Sequence, residues 1–189
     1  MEKNANTDLN IHPLIKKRWS PRAFSPRIIE KAKLERIIEA ARWSPSCFNE
    51  QPWRFIMGIK GENSIYDKIY STLAEGNQVW AKQVPCLILI IVKVAFTHNG
   101  KPNKWSEYDC GQAAAYMSIQ ALEDNIYVHQ MAGFDRRKAK NVFKISDEFE
   151  PIVVMAAGYI GDAKQLPDDL KKMELSPRKR LPVNDLVIG

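Results

Sequence analysis

Arginines near both ends of the chain are the residues whose type and spacing suggest chemistry. Two short basic stretches carry them, "KKRWSPRAF" at 16–24 and "SPRKRLP" at 176–182. The four arginines concerned are Arg18, Arg22, Arg178 and Arg180. A guanidinium keeps its charge and donates in a fork that matches phosphate or carboxylate. Either stretch taken singly is typical of a solvated basic face.

A polar linker, "SPSCFNEQPW" at 44–53, is the second unusual feature. A segment that only joined two elements could be a short turn of glycine and asparagine. This linker is longer and offers hydroxyl, thiol and amide groups at Ser46, Cys47 and Asn49. Its composition indicates a binding role.

Several common sites are not supported by the sequence. It contains no G-x-G-x-x-G and no G-x-x-x-x-G-K-[ST] loop for a phosphate, and no G-x-S-x-G nucleophile elbow. The three histidines lie far apart without zinc-binding spacing, so no metal is predicted. The three cysteines form no C-x-x-C pair, which argues for reduced thiols rather than a disulfide framework. They are Cys47, Cys86 and Cys110.

Bulk composition predicts one domain over residues 1–189, because a chain with 45% hydrophobic residues can bury a sizeable core. The start of the chain lacks an apolar run behind a basic head, so we expect a cytoplasmic protein. The longest apolar run, "VPCLILIIV" at 84–92, is too short to span a bilayer. The net charge of +6 comes from scattered clusters that suit small phosphate-bearing molecules as well as nucleic acid.

Hydrophobic periodicity predicts the elements that must position these residues. Leu34, Ile37 and Ala41 mark an amphipathic helix over 30–43. Further helices are predicted at 62–73, 105–124 and 135–143, and strands at 53–59, 86–96, 126–130 and 151–160. Prolines predict an extended segment over 174–189. Because the alternation of strands and helices is irregular, the pattern favours an α+β fold.

The sequence resembles the FMN-dependent nitroreductase family in three motifs and in their order. They are R-x-S-x-R, S-P-S-x-x-N-x-Q-P-W and R-x-R-L-P. The resemblance runs from about Leu14 to Val187 and is most specific in the first 60 residues. It implies a mixed central β-sheet flanked by helices, and an intertwined homodimer with an extended C-terminal tail. FMN would lie where the two subunits meet.

The resemblance also implies roles for individual residues. Arg18, Ser20 and Arg22 would reach the phosphate and the N1 to C2=O edge of the flavin, and the C-terminal arginines would add to the phosphate site. The polar linker would come from the second subunit. The full cofactor-binding set is Arg18, Trp19, Ser20, Arg22, Pro45, Ser46, Cys47, Asn49, Asn77, Gln130, Met131, Ala132, Gly133, Arg178 and Arg180.

Two segments would meet the flavin ring. Asn77 matches an amide that pairs with the pyrimidine edge, since an amide offers both a donor and an acceptor. The stretch "HQMAGFD" at 129–135 matches a backbone that runs beside the ring. Many members carry glutamate where Ala132 stands, but the contact is through the backbone, so FMN binding is expected to survive. His129 itself is expected to be packed rather than catalytic.

The implied activity is hydride transfer from NAD(P)H through flavin N5 to nitroaromatics, quinones or similar small electron acceptors, in ping-pong order. The cofactor carries the chemistry, so no catalytic side chain is predicted. Trp105, Glu107 and Tyr108 are candidates to cover the open flavin face, whereas Trp43 and Trp53 are expected to pack in the core.

Alternatives remain open from sequence. One is a specialised flavin enzyme of the same fold acting on an enoate, an aldehyde or another small metabolite. Another is a non-catalytic flavin or nucleic-acid binding protein, which the pI of about 9.2 would suit. We predict neither a nucleic-acid nor a membrane partner.

Overall fold

A computed structural model describes residues 3–189, in which four strands form one sheet. The strands are β1 (Trp53–Ile59), β2 (Cys86–Lys93), β3 (Tyr127–Met131) and β4 (Phe149–Gly158). The α-helices are α1 (Pro13–Lys17), α2 (Lys31–Arg42), α3 (Ser64–Thr72), α4 (Glu75–Ala81), α5 (Ser106–Glu123), α6 (Arg136–Phe143) and α7 (Asp168–Leu175). Short 3-10 turns occur at Cys47–Asn49, Ala163–Gln165 and Val183–Asp185.

The sheet has the strand order β1-β2-β4-β3. Its three pairings are antiparallel, with Trp53 opposite Val92 at one edge and Tyr127 opposite Gly158 at the other. The expected α+β class is confirmed. The expectation of a mixed sheet is not met within residues 3–189, because no pair among these strands is parallel.

Strand β2 is apolar on both faces because each face of the sheet carries a hydrophobic cluster. Leu87, Leu89 and Ile91 pack into one cluster, with Trp19 and Met131. The alternate residues of the strand enter the other cluster, where helices α2 and α5 cover the sheet. Successive strand side chains point to opposite faces, so one uninterrupted apolar run supplies both cores.

Helix α5 carries small side chains toward its neighbours, as its composition predicts. Cys110, Ala113, Ala114 and Ala121 are buried there, together with Leu34 and Ile37 of α2. Side chains of this size allow the backbones of two helices to approach closely. Helix α5 therefore occupies the centre of the layer on that face.

Several sequence expectations require correction. Helices α1, α4 and α7 were not predicted, and the C-terminal segment becomes extended only after Leu175, at the end of α7. Strand β2 ends at Lys93 because the chain then folds back on itself, with Ala95 paired to Pro102. Trp53 is buried as expected, but Trp43 is 70% exposed and does not pack in the core.

No helix within residues 3–189 is both long enough and apolar enough to cross a lipid bilayer.

Candidate functional site

The N-terminal arginines lie on an extended segment whose side chains alternate. Trp19, Pro21 and Ala23 are buried, and the residues between them are only partly covered. Trp19 packs edge-on against Tyr127, with ring centroids 6.2 Å apart. Because an extended backbone has a side-chain period of two, the buried residues turn the R-x-S-x-R residues to the opposite side. The motif spacing is thus explained by the backbone that presents it.

The C-terminal arginines are brought to the same place by contacts with the beginning of the chain. After α7, the Arg178 guanidinium donates through Nη1 to the carbonyl oxygens of Lys3 at 3.0 Å and Lys16 at 2.9 Å. These bonds span more than 160 residues of sequence and hold the two ends of the chain side by side.

A hollow of about 200 Å³ lies between the two ends. All four arginines of the two basic stretches line it, together with Trp19 and Ser20. The complete lining is Lys3, Arg18, Trp19, Ser20, Arg22, Met173, Glu174, Arg178 and Arg180. The structure therefore brings together the arginine sets that the sequence placed far apart.

The cations in this hollow affect one another. Burial, and next the charge of Arg180, lower the pKa of Arg18. Burial, followed by the charges of Arg18 and Arg180, lowers the pKa of Arg178. Burial and repulsion between the arginines both disfavour the charged guanidinium. A bound anion would offset the repulsion. Four guanidinium groups around one hollow are chemically suited to an anionic ligand.

Glu174 and Lys3 are residues of the hollow that sequence reasoning missed. Glu174 is 1% exposed, and its carboxylate accepts the backbone N–H groups of Arg22, at 3.0 Å, and Ala23, at 3.1 Å. A signal for its helix was present, since Pro167 followed by Asp168 and Asp169 is typical of a helix start. For Lys3 the sequence offered no signal.

A second group of predicted residues meets at the end of β3. The Asn77 amide donates through Nδ2 to the Gly133 carbonyl at 2.9 Å, and the Ala74 backbone N–H donates to the same oxygen at 3.0 Å. Ala132 and Gly133 are exposed, whereas Met131 is buried. Asn77, Ala132 and Gly133 therefore form one small open platform of backbone and amide groups.

Gln130 and His129 connect this platform to the rest of the fold. Gln130 donates through Nε2 to the Ser118 hydroxyl at 3.2 Å, so this amide contacts α5. The His129 Nδ1 lies 2.8 Å from the Pro21 carbonyl, and its ring packs 4.7 Å from that of Trp80. Burial lowers the pKa of His129 to about 4. The prediction of a packed histidine is confirmed.

The polar linker lies elsewhere on the chain. The Cys47 backbone N–H donates to the Asp109 carboxylate at 3.0 Å, and the Gln51 N–H donates to the Ser46 hydroxyl at 3.0 Å. Pro45, Ser46 and Cys47 line a separate hollow of about 250 Å³ with residues of α5 and Trp105. Within residues 3–189, the linings of this hollow and of the arginine hollow share no residue.

The linker is also held in an unusual backbone conformation. Phe48, Asn49 and Gln51 have φ values of 52°, 54° and 50°, in the left-handed region that non-glycine residues seldom adopt. Phe48 is 79% exposed there, and Asn49 is exposed as well. Strain of this kind persists only where surrounding bonds fix it, as the Asp109 and Ser46 contacts do.

Comparison with known proteins agrees with this geometry. The Nitroreductase family model matches residues 15–79, which include the N-terminal arginines, the polar linker and Asn77. A crystal structure described as an oxidoreductase containing FMN is 34% identical, covers 100% of this chain and 96% of that chain, and superposes with a TM-score of 0.92. The chain belongs to the nitroreductase family.

Two further relatives of this nitroreductase family chain have lower sequence identity. A nitroreductase family protein from Clostridium difficile 630 is 25% identical, with a TM-score of 0.73 and coverage of 95% of this chain and 98% of that chain. An uncharacterised 15.4 kDa protein from Mycolicibacterium smegmatis is 29% identical over 135 residues, covering 68% of this chain and 89% of its own length. The predicted nitroreductase-like fold is confirmed.

The individual roles inferred for the nitroreductase site stay predictions. One copy of the chain groups the terminal arginines with Trp19 and Ser20, and separately groups Asn77 with Ala132 and Gly133. Contribution of Pro45, Ser46, Cys47 and Asn49 by a second subunit is a prediction that these contacts do not test.

Proposed function

We propose that this protein is an FMN-dependent oxidoreductase whose arginine hollow holds the cofactor phosphate. The observation that carries the proposal is the meeting of four arginines, two from each end of the chain, around one hollow. The relative with 34% identity, described as containing FMN, supports the same cofactor.

The donor set fits a phosphate dianion. Each hydrogen bond from a charged donor contributes about 1.5 to 3 kcal/mol, and a guanidinium can donate two of them in parallel. Arg18 and Arg22 lie on the side of the extended segment that faces away from the core, where their donors can reach a ligand. The hydrogen bonds of the Glu174 carboxylate come from the backbone N–H groups of residues 22 and 23 rather than from these guanidinium groups.

The platform at the end of β3 fits the ring of the flavin. The bond to Gly133 uses one N–H of the Asn77 amide. Its Oδ1 and its second N–H can therefore offer an acceptor and a donor to a ligand. Ala132 and Gly133 present exposed backbone beside it. The His129 contact with Pro21 joins strand β3, which leads into this platform, to the arginine segment.

FMN held there would supply a hydride-accepting ring at N5, with NAD(P)H as the electron donor and a small electron-poor acceptor such as a nitroaromatic or a quinone as the oxidant, in ping-pong order. The protein's part is to bind and orient. The guanidinium of Arg22 is a cation that would favour the more negative, reduced cofactor. No side chain is assigned as acid, base or nucleophile.

The proposal also includes a homodimer of single-domain subunits. The polar linker is chemically suited to a ribityl chain, yet in one copy it shares no lining residue with the arginine hollow within residues 3–189. A second copy would supply the linker to the hollow of the first. The two cores on opposite faces of one sheet support one domain per chain.

Purified protein provides the test. We expect a yellow protein that releases FMN on denaturation and loses its colour under anaerobic conditions when NADH or NADPH is added. A panel of nitroaromatics, quinones, enoates and aldehydes would then identify the acceptor class. Protein that is colourless and takes up no added FMN would contradict the proposal.

A further inference from the structure

A buried glutamate joins the two ends of the chain inside the arginine hollow. Both oxygens of Glu174 lie 3.0 Å from the Arg22 backbone nitrogen, and one lies 3.1 Å from the Ala23 nitrogen. The Lys3 ammonium donates to the Glu174 carbonyl at 2.6 Å. One residue of α7 therefore contacts both the N-terminal arm and the arginine segment.

This position is unfavourable for a glutamate on general grounds. Burial of a carboxylate is costly unless it is paired and hydrogen-bonded. Glu174 also lies in the last turn of α7, where the negative end of the helix dipole opposes an acidic side chain. The bonds from the two N–H groups and the surrounding cations offset these costs, so the residue contributes to the arrangement of the hollow rather than to the helix.

The bonds fix a particular part of the hollow. Buried and partly covered residues alternate from Arg18 to Ala23, and the chain bends at Arg22, so the orientation of the backbone at Arg22 decides which side its guanidinium faces. Glu174 holds that backbone from α7, and Arg178 follows it by four residues. Residues 174–180 thus supply Arg178 and Arg180, and through Glu174 they set the direction of the N-terminal arginines.

We propose that Glu174 is a positioning residue for phosphate recognition, which aligns Arg18 and Arg22 with Arg178 and Arg180 so that all four bind one phosphate group. The inference rests on the proposed function, because the phosphate is that of FMN. Riboflavin carries the same ring and ribityl chain as FMN but lacks the phosphate. The inference therefore predicts that a change at Glu174 weakens the binding of FMN more than that of riboflavin.

The experiment compares FMN with riboflavin as ligands of the apoprotein, using quenching of flavin fluorescence. Glu174→Gln keeps the side-chain volume and one acceptor oxygen but removes the charge. We expect its affinity for FMN to fall about tenfold, as loss of charge-assisted bonds at one positioned group predicts, and its affinity for riboflavin to change less than about twofold.

Two further variants make the comparison specific. Asn63→Ala removes the side-chain cap of α3, away from the hollow, and lowers the stability of the fold, so it reports how much a purely structural loss changes the FMN-to-riboflavin ratio. Should Glu174→Gln fail to fold, Glu174→Asp replaces it, since it retains the charge but withdraws the carboxylate by one methylene. The same selective loss is expected.

A folded Glu174 variant whose FMN-to-riboflavin ratio equals that of wild type would overturn the inference, and so would an equal loss for both ligands. In either case a wild-type protein that prefers FMN would leave the proposed function standing. Wild-type protein that binds neither flavin would overturn both.

Discussion

The side-chain amide of Asn77 reaches the carbonyl of Gly133, 2.9 Å away and 56 residues later in the chain. A Cβ atom placed on Gly133 would lie 2.8 Å from the same Asn77 nitrogen. The Asn77 amide therefore occupies the space that a side chain at position 133 would need. The proposed ring platform depends on both residues.

Gly133→Ala should weaken FMN binding with little change in stability. The added methyl meets the end of a flexible side chain, so the Asn77 amide can swing away at small cost, and the platform loses one positioned hydrogen bond. We expect the Kd for FMN to rise about two- to tenfold. Gly76→Ala in α4 is the matched control, because a Cβ there meets nothing within 4 Å. Equal FMN affinity in the two variants would remove the assigned role of Asn77.

Trp105 tests whether the polar linker belongs to the active site. Its ring is 57% exposed, lies 6.4 Å from that of Tyr108, and lines the hollow next to Pro45 and Cys47. If this surface covers the flavin of a second copy, Trp105→Ala should change the KM for the acceptor several-fold. Trp43→Ala, which removes another exposed tryptophan, should leave steady-state constants unchanged. Unaltered constants in Trp105→Ala would exclude the covering role.

The three cysteines should differ sharply in reactivity. Burial raises the pKa of both Cys86 and Cys110 to about 12, and the side chain of each is 1% exposed or less. Only a thiolate reacts readily, so these two should resist a thiol reagent in the folded protein. We expect mass spectrometry after brief labelling of the native protein to find Cys86 and Cys110 unmodified, and to find all three cysteines modified in denaturant. Native labelling of Cys110 would contradict the packing of α5.

The stability of the protein should decrease on acidification partly because of His129. Its pKa falls from 6.5 to about 4 through burial, so between these values the unfolded chain binds a proton that the folded chain does not. The free energy of unfolding therefore falls as the pH is lowered from 6.5 to 4, by about 3 kcal/mol in total, and this contribution is constant below pH 4.

Urea unfolding at several pH values measures this effect. The comparison is with His129→Gln, which can still donate to the Pro21 carbonyl but does not titrate. The variant should show a shallower decline between pH 6.5 and 4, whereas carboxylate titrations affect both proteins equally. Parallel curves would show that His129 is protonated as readily in the folded state as in the unfolded chain.

Much of the fold could be predicted because its signals are local. Leu34, Ile37 and Ala41 repeat at helical spacing, and the apolar run of β2 has the length that favours a strand buried on both faces. Helix α4 was missed because its seven residues are too few to show periodicity. Helix α7 was missed because no element was assigned to residues 168–173 and its last two residues, Glu174 and Leu175, were assigned to an extended tail.

The site was predictable only in part, for a different physical reason. The arginines and the R-x-S-x-R motif are visible in the sequence. The family resemblance also predicts that the two basic stretches share one site. Glu174 could not be assigned, because its partners are the backbone N–H groups of Arg22 and Ala23, which no side-chain pattern reveals. Likewise the exposure of Trp43 depends on where α2 ends, one residue before it.

The most direct test of the central claim is a titration of apoprotein with FMN in wild type, Arg18→Ala, Arg180→Ala and the double variant. If both ends of the chain bind one phosphate, each single variant should lose about tenfold or more in affinity, and the salt dependence of binding should weaken in each. Riboflavin affinity should stay near the wild-type value. Single variants that bind FMN as tightly as wild type would show that the arginines of the two termini do not share a phosphate.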